Sequence, residues 1–202
     1  MDLFNDDPIK NILPHDGTAN YYGKILSKEK ADFYYEEFLR NIEWKNDEAV
    51  IFGKHFVTAR KVAWYADEEF PYTYSGTTKQ SLVWTRELLA LKKTIEETTS
   101  ATYNSCLMNL YHNGGEGMAY HSDDEKALGG ITTIASVTLG AERNFLFKHK
   151  RTKETVSIIL EHGSLLVMKD ETQVNWMHRL PPTTKVKRAR INLTFRTMLQ
   201  HY

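Results

Sequence analysis

The chain of 202 residues lacks the features that mark secreted and membrane proteins. Its single cysteine, Cys106, excludes an intramolecular disulfide and favours a reducing compartment. Residues 1–8 are acidic and contain a proline, unlike a signal peptide, and no apolar run approaches the ~18 residues of a membrane span. These absences predict a soluble intracellular protein, cytoplasmic in a bacterium or nuclear in a eukaryote, with no membrane partner.

The chain also lacks net charge, because 26 acidic residues balance 26 basic ones. Whole-protein charge therefore favours no class of partner. The distribution is uneven, with a net charge of −5 over residues 1–50 and +7 over residues 148–202. The basic C-terminal quarter is compatible with a phosphate-binding face, although an ordinary solvated surface is the plainer interpretation.

Hydrophobic periodicity predicts helices in the first half and strands in the second. Residues 1–26, with two prolines and several turn formers, are expected to form an irregular arm. Residues 27–100 are predicted to hold two amphipathic helices, one capped by Ser27 and one from Ser81 to Thr98. Residues 101–202 read as a β core of the sandwich or jelly-roll type. Its predicted strands are Cys106–Tyr111, Ile131–Leu139, Arg143–Lys148, Thr155–Leu160, Ser164–Met168, Val174–Leu180 and Arg190–Thr197. The whole is expected to form a single α+β domain.

The candidate metal site centres on an H-x-D pair, His121 and Asp123. On an extended segment, residues two apart face the same side, so both groups can converge on one cation. Two imidazoles and one carboxylate leave three positions open on a divalent iron, which is the facial triad of non-haem oxygenases. His178 is the candidate second histidine. One H-x-acid pair is expected by chance in a chain with eight histidines, so the pair alone is weak evidence.

The last predicted strand alternates polar and apolar side chains. Arg190, Asn192, Thr194 and Arg196 share one face, and two arginines facing inward are costly unless an anion lies opposite them. A guanidinium pairs bidentately with a carboxylate and stays charged when buried. An outer strand with a wet polar face is the alternative interpretation.

On the first strand of the β core, Asn109 and Tyr111 also share a face, and both can hydrogen-bond a carboxylate.

Together these segments resemble the AlkB family of Fe(II)- and 2-oxoglutarate-dependent nucleic-acid dealkylases. The motifs that carry the resemblance follow the family order from about residue 50 to residue 198: Cys-Leu-Met-Asn-Leu-Tyr (106–111), His-Ser-Asp-Asp-Glu (121–125), Ile-Ala-Ser-Val-Thr-Leu-Gly (134–140), His-Gly-Ser-Leu-Leu-Val-Met (162–168), Trp-Met-His (176–178) and Arg-Ile-Asn-Leu-Thr-Phe-Arg (190–196). The resemblance is strongest to homologues that repair alkylated DNA. It implies a double-stranded β-helix (jelly-roll) core with the N-terminal helices packed against it, and a nucleotide-recognition segment within residues 27–100.

The resemblance implies that iron is held by His121, Asp123 and His178. Arg190 and Tyr111 would bind the distal carboxylate of 2-oxoglutarate, the cosubstrate. Arg196 and Asn109 would serve its metal-proximal end, and Asn192 would support the site.

The resemblance also implies a set of substrate contacts. Tyr74 would stack on a flipped base, opposite the ring of His121, and Asp124 and Glu125 would face the exocyclic amine of the damaged base. Phe52 would be a wedge in the base stack or, equally, core packing at a strand end. Tyr72 would line the pocket or pack.

Some phosphate contacts are expected among eight basic residues: Arg60, Lys61, Lys148, Lys150, Arg151, Lys185, Lys187 and Arg188. His149 and His162 are expected to be structural.

The implied reaction is demethylation of N-alkylated bases such as 1-methyladenine and 3-methylcytosine in single- or double-stranded DNA, or in RNA, with release of formaldehyde and succinate by a monomeric enzyme. The alternatives are a 2-oxoglutarate-dependent hydroxylase or demethylase acting on RNA, protein or a small molecule, and a jelly-roll binding module that has lost its metal. A zinc hydrolase fits less well because its chemistry has no use for Arg190 and Arg196.

Overall fold

The computed structural model describes residues 10–51, 54–68, 71–74, 77–124, 126–129 and 132–199. Side chains are described for all of these except residues 49–51, 54–56, 71–74, 77–79 and 126. Three α-helices occur in this part of the chain: α1 (Lys28–Asn41), α2 (Arg86–Thr99) and the short α3 (Thr172–Asn175). The strands are β1 (Thr18–Lys24), β2 (Lys45–Ile51), β3 (Lys54–Ala66), β4 (Pro71–Tyr74), β5 (Thr77–Gln80), β6 (Ser105–Tyr111), β7 (Met118–His121), β8 (Ile134–Gly140), β9 (Arg143–His149), β10 (Thr155–Leu160), β11 (Ser164–Lys169), β12 (Trp176–Leu180) and β13 (Arg190–Arg196).

The core is a jelly roll made of two antiparallel sheets. The major sheet has the strand order β1-β11-β8-β13-β6-β3-β2, and the minor sheet has the order β10-β9-β12-β7. Strands β4 and β5 pair with each other as a separate hairpin. The non-sequential strand order brings β13, the last strand, between β8 and β6 at the centre of the major sheet. This placement gives the polar face of β13 a buried position between the sheets.

Helices α1 and α2 cover the outer face of the major sheet. Phe38 of α1 and Leu88, Leu91 and Ile95 of α2 are buried against alternate residues of β6, β8 and β13. A second cluster around Trp176 and Phe147 fills one end of the sandwich. The main apolar core therefore lies on the helix side of the major sheet, which leaves the opposite face of the same strands available for polar groups.

The helix predictions are confirmed, with one shifted boundary. Ser27 is the N-cap of α1, and its hydroxyl accepts a hydrogen bond from the backbone N–H of Lys30. The second helix begins at Arg86 rather than Ser81, because Thr85 is its N-cap and accepts from the N–H of Leu88. Apolar residues that precede a helix can continue its hydrophobic periodicity by chance, so periodicity alone places the start of the helix too early. The capping hydroxyl marks the true first turn.

The irregular arm predicted for residues 1–26 is wrong for its second part, since Thr18–Lys24 forms β1 and pairs with β11. The boundary predicted at residue 101 also does not separate structural units, because β3 lies beside β6 in the major sheet. The predicted strand Val174–Leu180 begins as the helical turn α3 and becomes extended only at Trp176. No helix in the described ranges has the length and apolarity needed to cross a membrane.

Candidate active site

The alternation of β13 is confirmed and decides where the site lies. Ile191, Leu193 and Phe195 are fully buried in the helix-side core. The opposite face, which carries Arg190, Asn192, Thr194 and Arg196, lines a pocket between the two sheets. Arg190 and Arg196 are only 2% and 7% exposed. The interpretation of β13 as an outer strand with a wet face is therefore excluded.

The pocket brings the H-x-D pair together with the candidate second histidine. His121 ends β7 and is the register partner of His178 on β12, and their ring centroids are 4.4 Å apart. Asp123 follows in the segment after β7, and its Oδ1 lies 3.8 Å from His121 Nε2. One ligand atom from each of the three residues lies within 4.8 Å of the others. His178 therefore joins the cluster through the antiparallel pairing of β12 with β7, although it is distant in sequence.

The tautomer of His121 suits metal binding. Its Nδ1 lies 2.9 Å from the carbonyl oxygen of Ala119. Because a carbonyl can only accept a hydrogen bond, Nδ1 must carry the proton in the neutral ring. The lone pair is then on Nε2, the nitrogen that faces Asp123.

The charges around Asp123 and His178 favour the protonation states that a cation needs. Burial alone would raise the pKa of the Asp123 carboxyl, but nearby positive charge, that of Arg196 most of all, holds this pKa below its usual range. Arg196 Nη2 lies 3.0 Å from Asp123 Oδ1. Burial lowers the pKa of His178 to about 3, so its imidazole is neutral near pH 7. A carboxylate and neutral imidazoles are the forms that bind divalent metals.

At the other end of the pocket, Arg190 supplies a buried cation. One of its terminal nitrogens donates to Thr138 Oγ1 at 2.8 Å and to Asn192 Oδ1 at 2.7 Å. Its guanidinium carbon lies 5.6 Å from the centre of the Tyr111 ring. Burial lowers the pKa of Arg190 to about 10, which still leaves it charged near pH 7.

Asn192 acts as a support within this end of the pocket. Its Oδ1 accepts from Arg190 and from Ser136, and its amide nitrogen donates to Thr194 Oγ1 at 2.8 Å. The side chain is thereby held in one orientation by three neighbours. The supporting role that the resemblance implies for Asn192 is compatible with these contacts and stays a prediction.

The chemistry of the pocket fits Fe(II) and 2-oxoglutarate. Two imidazole nitrogens and one carboxylate are the donor set of iron oxygenases. The Nε–H of Arg190 is a buried donor with no hydrogen-bond partner among the described residues. A buried donor of this kind needs an acceptor, and a carboxylate of a dicarboxylic acid would supply one.

A second cluster with metal-ligand residue types, His15, Asp16 and His149, has the wrong chemistry for a metal. His149 Nδ1 accepts a hydrogen bond from the backbone N–H of Thr152 at 3.0 Å. The proton of the neutral ring is therefore on Nε2, which lies 3.3 Å from Asp16 Oδ2. A nitrogen that keeps its proton does not bind a metal, so these contacts are compatible with the structural role expected for His149.

Arg60 does not have the position predicted for a phosphate contact. It is 8% exposed, forms an ion pair with the buried Asp47, and donates from Nη1 to Asn109 Oδ1 at 2.7 Å. Both terminal nitrogens of Arg60 thus bond to groups inside the protein, although the residue does line the pocket. The alternation pattern of β3 could not reveal this, because the partner residue lies on another strand.

The remaining substrate predictions are tested only in part. Phe52 and Glu125 lie outside the described residues, and Tyr72 and Tyr74 lie on β4, where side chains are not described. Asp124 is exposed, 3.8 Å from Lys150 Nζ, and is not among the residues that line the pocket. Lys148 Nζ lies 5.5 Å above the Tyr120 ring. Lys185, Lys187 and Arg188 are exposed in the segment before β13.

Sequence reasoning missed two buried residues that hold this site in place. Asp47 pairs with Arg60, and Gln173 of α3 accepts the backbone N–H of Asp123 on its Oε1 at 2.9 Å. Neither residue belongs to a local pattern that marks it. Only the sheet order and the turn at α3 bring them to the pocket.

Comparison with known proteins agrees with this geometry. A family model described as the 2OG-Fe(II) oxygenase superfamily matches residues 18–196. The bovine protein "Alpha-ketoglutarate-dependent dioxygenase alkB homolog 3" is 39% identical over 184 residues, which are 86% of this chain and 64% of the relative. The mouse "DNA oxidative demethylase ALKBH2" is 36% identical over 198 residues, 93% of this chain and 83% of the relative.

The solved structure of OsALKBH1 superposes with a TM-score of 0.61, covers 92% of this chain and 98% of that one, and is 12% identical in sequence. At this level of identity the superposition supports the fold alone. The chain spans slightly less than two thirds of the length of the alkB homolog 3 relatives from cattle, mouse and human.

Proposed function

The chain belongs to the 2OG-Fe(II) oxygenase superfamily as an AlkB-like member, and from this premise we propose that it is an oxidative demethylase of N-alkylated bases in DNA. The observation that carries the proposal is one pocket in which a His-Asp-His cluster and a buried arginine with an unsatisfied donor lie on facing sheets. Relatives named as alpha-ketoglutarate-dependent dioxygenases support the reaction class, and relatives named as DNA oxidative demethylases support the choice of DNA.

We assign His121, Asp123 and His178 as the iron ligands and Arg190 as the anchor of the distal carboxylate of 2-oxoglutarate. With Fe(II) and 2-oxoglutarate bound, the site would supply an O₂-dependent oxidation: one oxygen atom hydroxylates the N-methyl carbon, which leaves as formaldehyde, and the other enters succinate as 2-oxoglutarate loses CO₂. Arg196 holds Asp123 from one side, and Gln173 holds its backbone from another. Asn192 keeps Arg190 in place through the network that also joins Ser136 and Thr194.

The pocket orients its polar groups before any substrate enters. Apolar side chains from both sheets form its walls: Val62, Trp64, Leu107, Met118, Phe145, Met168 and Leu180. Phe145 stacks on the His178 ring at 5.4 Å between centroids, which restricts the rotation of the imidazole. In such an environment the interactions between the charged groups are stronger than in water.

Recognition of a base requires that the nucleotide leave the base stack. Extrusion of a base costs a few kcal/mol of stacking and pairing free energy. The cost is lowest for a base whose methyl group already blocks Watson–Crick pairing. Stacking on Tyr74 would return about 1–3 kcal/mol per base. We propose that Tyr74 and Glu125 read the base and that Phe52 fills the space left by the extruded base in duplex DNA.

The test is mass spectrometry of an oligonucleotide that carries one 1-methyladenine. The protein is incubated with the oligonucleotide, Fe(II), 2-oxoglutarate and air, beside a control without 2-oxoglutarate. We expect the methyl group to be lost only in the complete reaction. Single-stranded DNA, duplex DNA and RNA versions of the same sequence then rank the substrates.

Two results would contradict the proposal in different ways. Consumption of 2-oxoglutarate without loss of the methyl group would keep the oxygenase chemistry and move the substrate to protein or a small molecule. An absence of both activities in protein shown to contain iron would overturn the catalytic assignment.

A further inference from the structure

The pocket contains a buried ion pair that the catalytic assignment leaves without a role. Asp47 on β2 and Arg60 on β3 are 5% and 8% exposed and bond to each other through a carboxylate oxygen and Nη2. Both residues line the pocket. A buried pair of this kind adds little net stability, because desolvation of two charges offsets their attraction. Stability therefore does not explain why the pair lies beside the residues expected to bind 2-oxoglutarate.

The arginine of this pair contacts the residues expected to bind 2-oxoglutarate. Its Nη1 donates to Asn109 Oδ1 at 2.7 Å and lies 3.6 Å from Met118 Sδ. Its guanidinium carbon lies 6.0 Å from the centre of the Tyr111 ring, and the guanidinium of Arg190 lies 5.6 Å from the same ring. The planar fork of Arg60 therefore joins Asp47 at one nitrogen and Asn109 at the other.

The bond to Arg60 determines which end of the Asn109 amide is available. A guanidinium only donates, so the atom facing it must be the amide oxygen. The amide nitrogen of Asn109 is left as the donor that can reach a ligand in the pocket. Without Arg60 in this position, the Asn109 amide could rotate by half a turn and point its oxygen at the carboxylate of 2-oxoglutarate. Two acceptor oxygens repel each other.

We propose that Asp47 is a positioning residue for the cosubstrate: it holds Arg60, and Arg60 in turn holds Asn109 and Tyr111 in the orientation that binds 2-oxoglutarate. The inference rests on the proposed function, because it assumes that 2-oxoglutarate binds in this pocket. Asp47 is not a catalytic residue, since it acts only through Arg60.

An electrostatic test separates positioning from simple charge effects. Asp47→Asn removes a negative charge near the site of a dianion, so a pure charge effect would strengthen 2-oxoglutarate binding. Positioning predicts the opposite, because an amide holds a guanidinium less firmly than a carboxylate does. We expect binding to be weaker by about five- to tenfold, the size of one hydrogen bond converted to affinity.

A second variant separates weaker 2-oxoglutarate binding from a loss of folding stability. Asp47→Leu combined with Arg60→Met replaces the pair by apolar groups of similar volume, which is often neutral for folding. We expect this double variant to unfold within a few degrees of the wild type and still to bind 2-oxoglutarate about five- to tenfold more weakly. The matched control is Leu91→Ala, fully buried in α2 on the other side of the major sheet, which should lower the unfolding temperature and leave binding unchanged.

The measurement is isothermal titration of 2-oxoglutarate into protein loaded with Mn(II), which avoids turnover, together with thermal unfolding of each variant. Weaker binding in Asp47→Asn and in the double variant, with unchanged binding in Leu91→Ala, would support the inference. Unchanged or tighter binding in Asp47→Asn or in the double variant would overturn it and leave the proposed function intact. A wild-type protein that binds no 2-oxoglutarate would overturn both.

Discussion

At the scale of single residues, Arg190 is the group on which cosubstrate binding should depend most. It is buried, it is held by Thr138 and Asn192, and its Nε–H has no protein partner among the described residues. A lysine at this position keeps the charge and loses the planar fork. The shape of the guanidinium, and not its charge alone, is therefore expected to determine affinity.

Arg190→Lys should raise the KM for 2-oxoglutarate by about 10- to 100-fold, since one or two charge-assisted hydrogen bonds are lost. The measurement is the initial rate of succinate formation as 2-oxoglutarate is varied. Thr94→Ala on α2, whose hydroxyl bonds within its own helix, serves as a control. An unchanged KM in Arg190→Lys would show that the distal carboxylate binds elsewhere.

Cys106 illustrates a residue that burial makes inert. It lies on the helix-side face of β6, fully buried, and burial raises the pKa of its thiol well above its ordinary value. Since the thiolate is the reactive form, the folded protein should resist alkylation. Mass spectrometry after treatment with iodoacetamide should find Cys106 unmodified under native conditions and modified in denaturant; rapid native modification would contradict the buried position of β6.

At the scale of elements, the segment before β1 is fastened to the minor sheet next to the metal site. The backbone carbonyl of His15 accepts from Trp176 Nε1 at 2.9 Å, two residues before His178. The His15 ring lies between two carboxylates, with Nε2 3.0 Å from Glu154 and Nδ1 3.2 Å from Asp16. Hydrogen bonds to these carboxylates raise the pKa of His15, that to Glu154 contributing most.

The sign of this shift gives a pH dependence. Because the folded pKa is raised, the stabilisation from charged His15 is fully present below the unfolded value of 6.5 and is lost as the pH rises through the folded value. NMR titration of the His15 ring should give a pKa above 6.5 in the wild type and a lower one in Glu154→Gln. Equal values in the two proteins would mean that the ring does not contact Glu154 in solution.

The elements also show where prediction from sequence succeeds. The alternation in Arg190–Arg196 and the apolar spacing in the first helix are local patterns, and both are confirmed. The sequence predicts His178 as the second histidine of the site, and the register of β7 and β12 places it opposite His121. Local chemistry and the order of motifs were sufficient for these features.

Other elements could not be predicted, for reasons that are also physical. Strand β1 contains polar residues and a glycine, and its burial comes from pairing with β11, more than 100 residues later in the sequence. The roles of Asp47 and Gln173 depend on contacts made across strands and turns. Arg60 is one of eight basic residues among which the sequence predicts some phosphate contacts, and its burial follows from Asp47 on the neighbouring strand.

At the scale of the whole molecule, the two sheets contribute different groups to the site. The minor sheet and the segment after β7 carry the His-Asp-His cluster, while the major sheet carries the arginines and amides that would hold the dicarboxylic acid. The pocket forms only when the sandwich closes, so site assembly and folding are coupled. The apolar core on the helix side holds the major sheet while its other face remains polar.

In the proposed function, the His-Asp-His cluster between these sheets supports the removal of a methyl group from DNA. The most direct measurement is the mass of an oligonucleotide with one 1-methyladenine after incubation with Fe(II), 2-oxoglutarate and air, for the wild type beside Asp123→Ala, both checked for folding by circular dichroism. We expect the wild type to remove the methyl group and the variant to lose activity by a factor of about 10³ or more, since a metal ligand is missing. Equal activity in the two proteins would contradict the account.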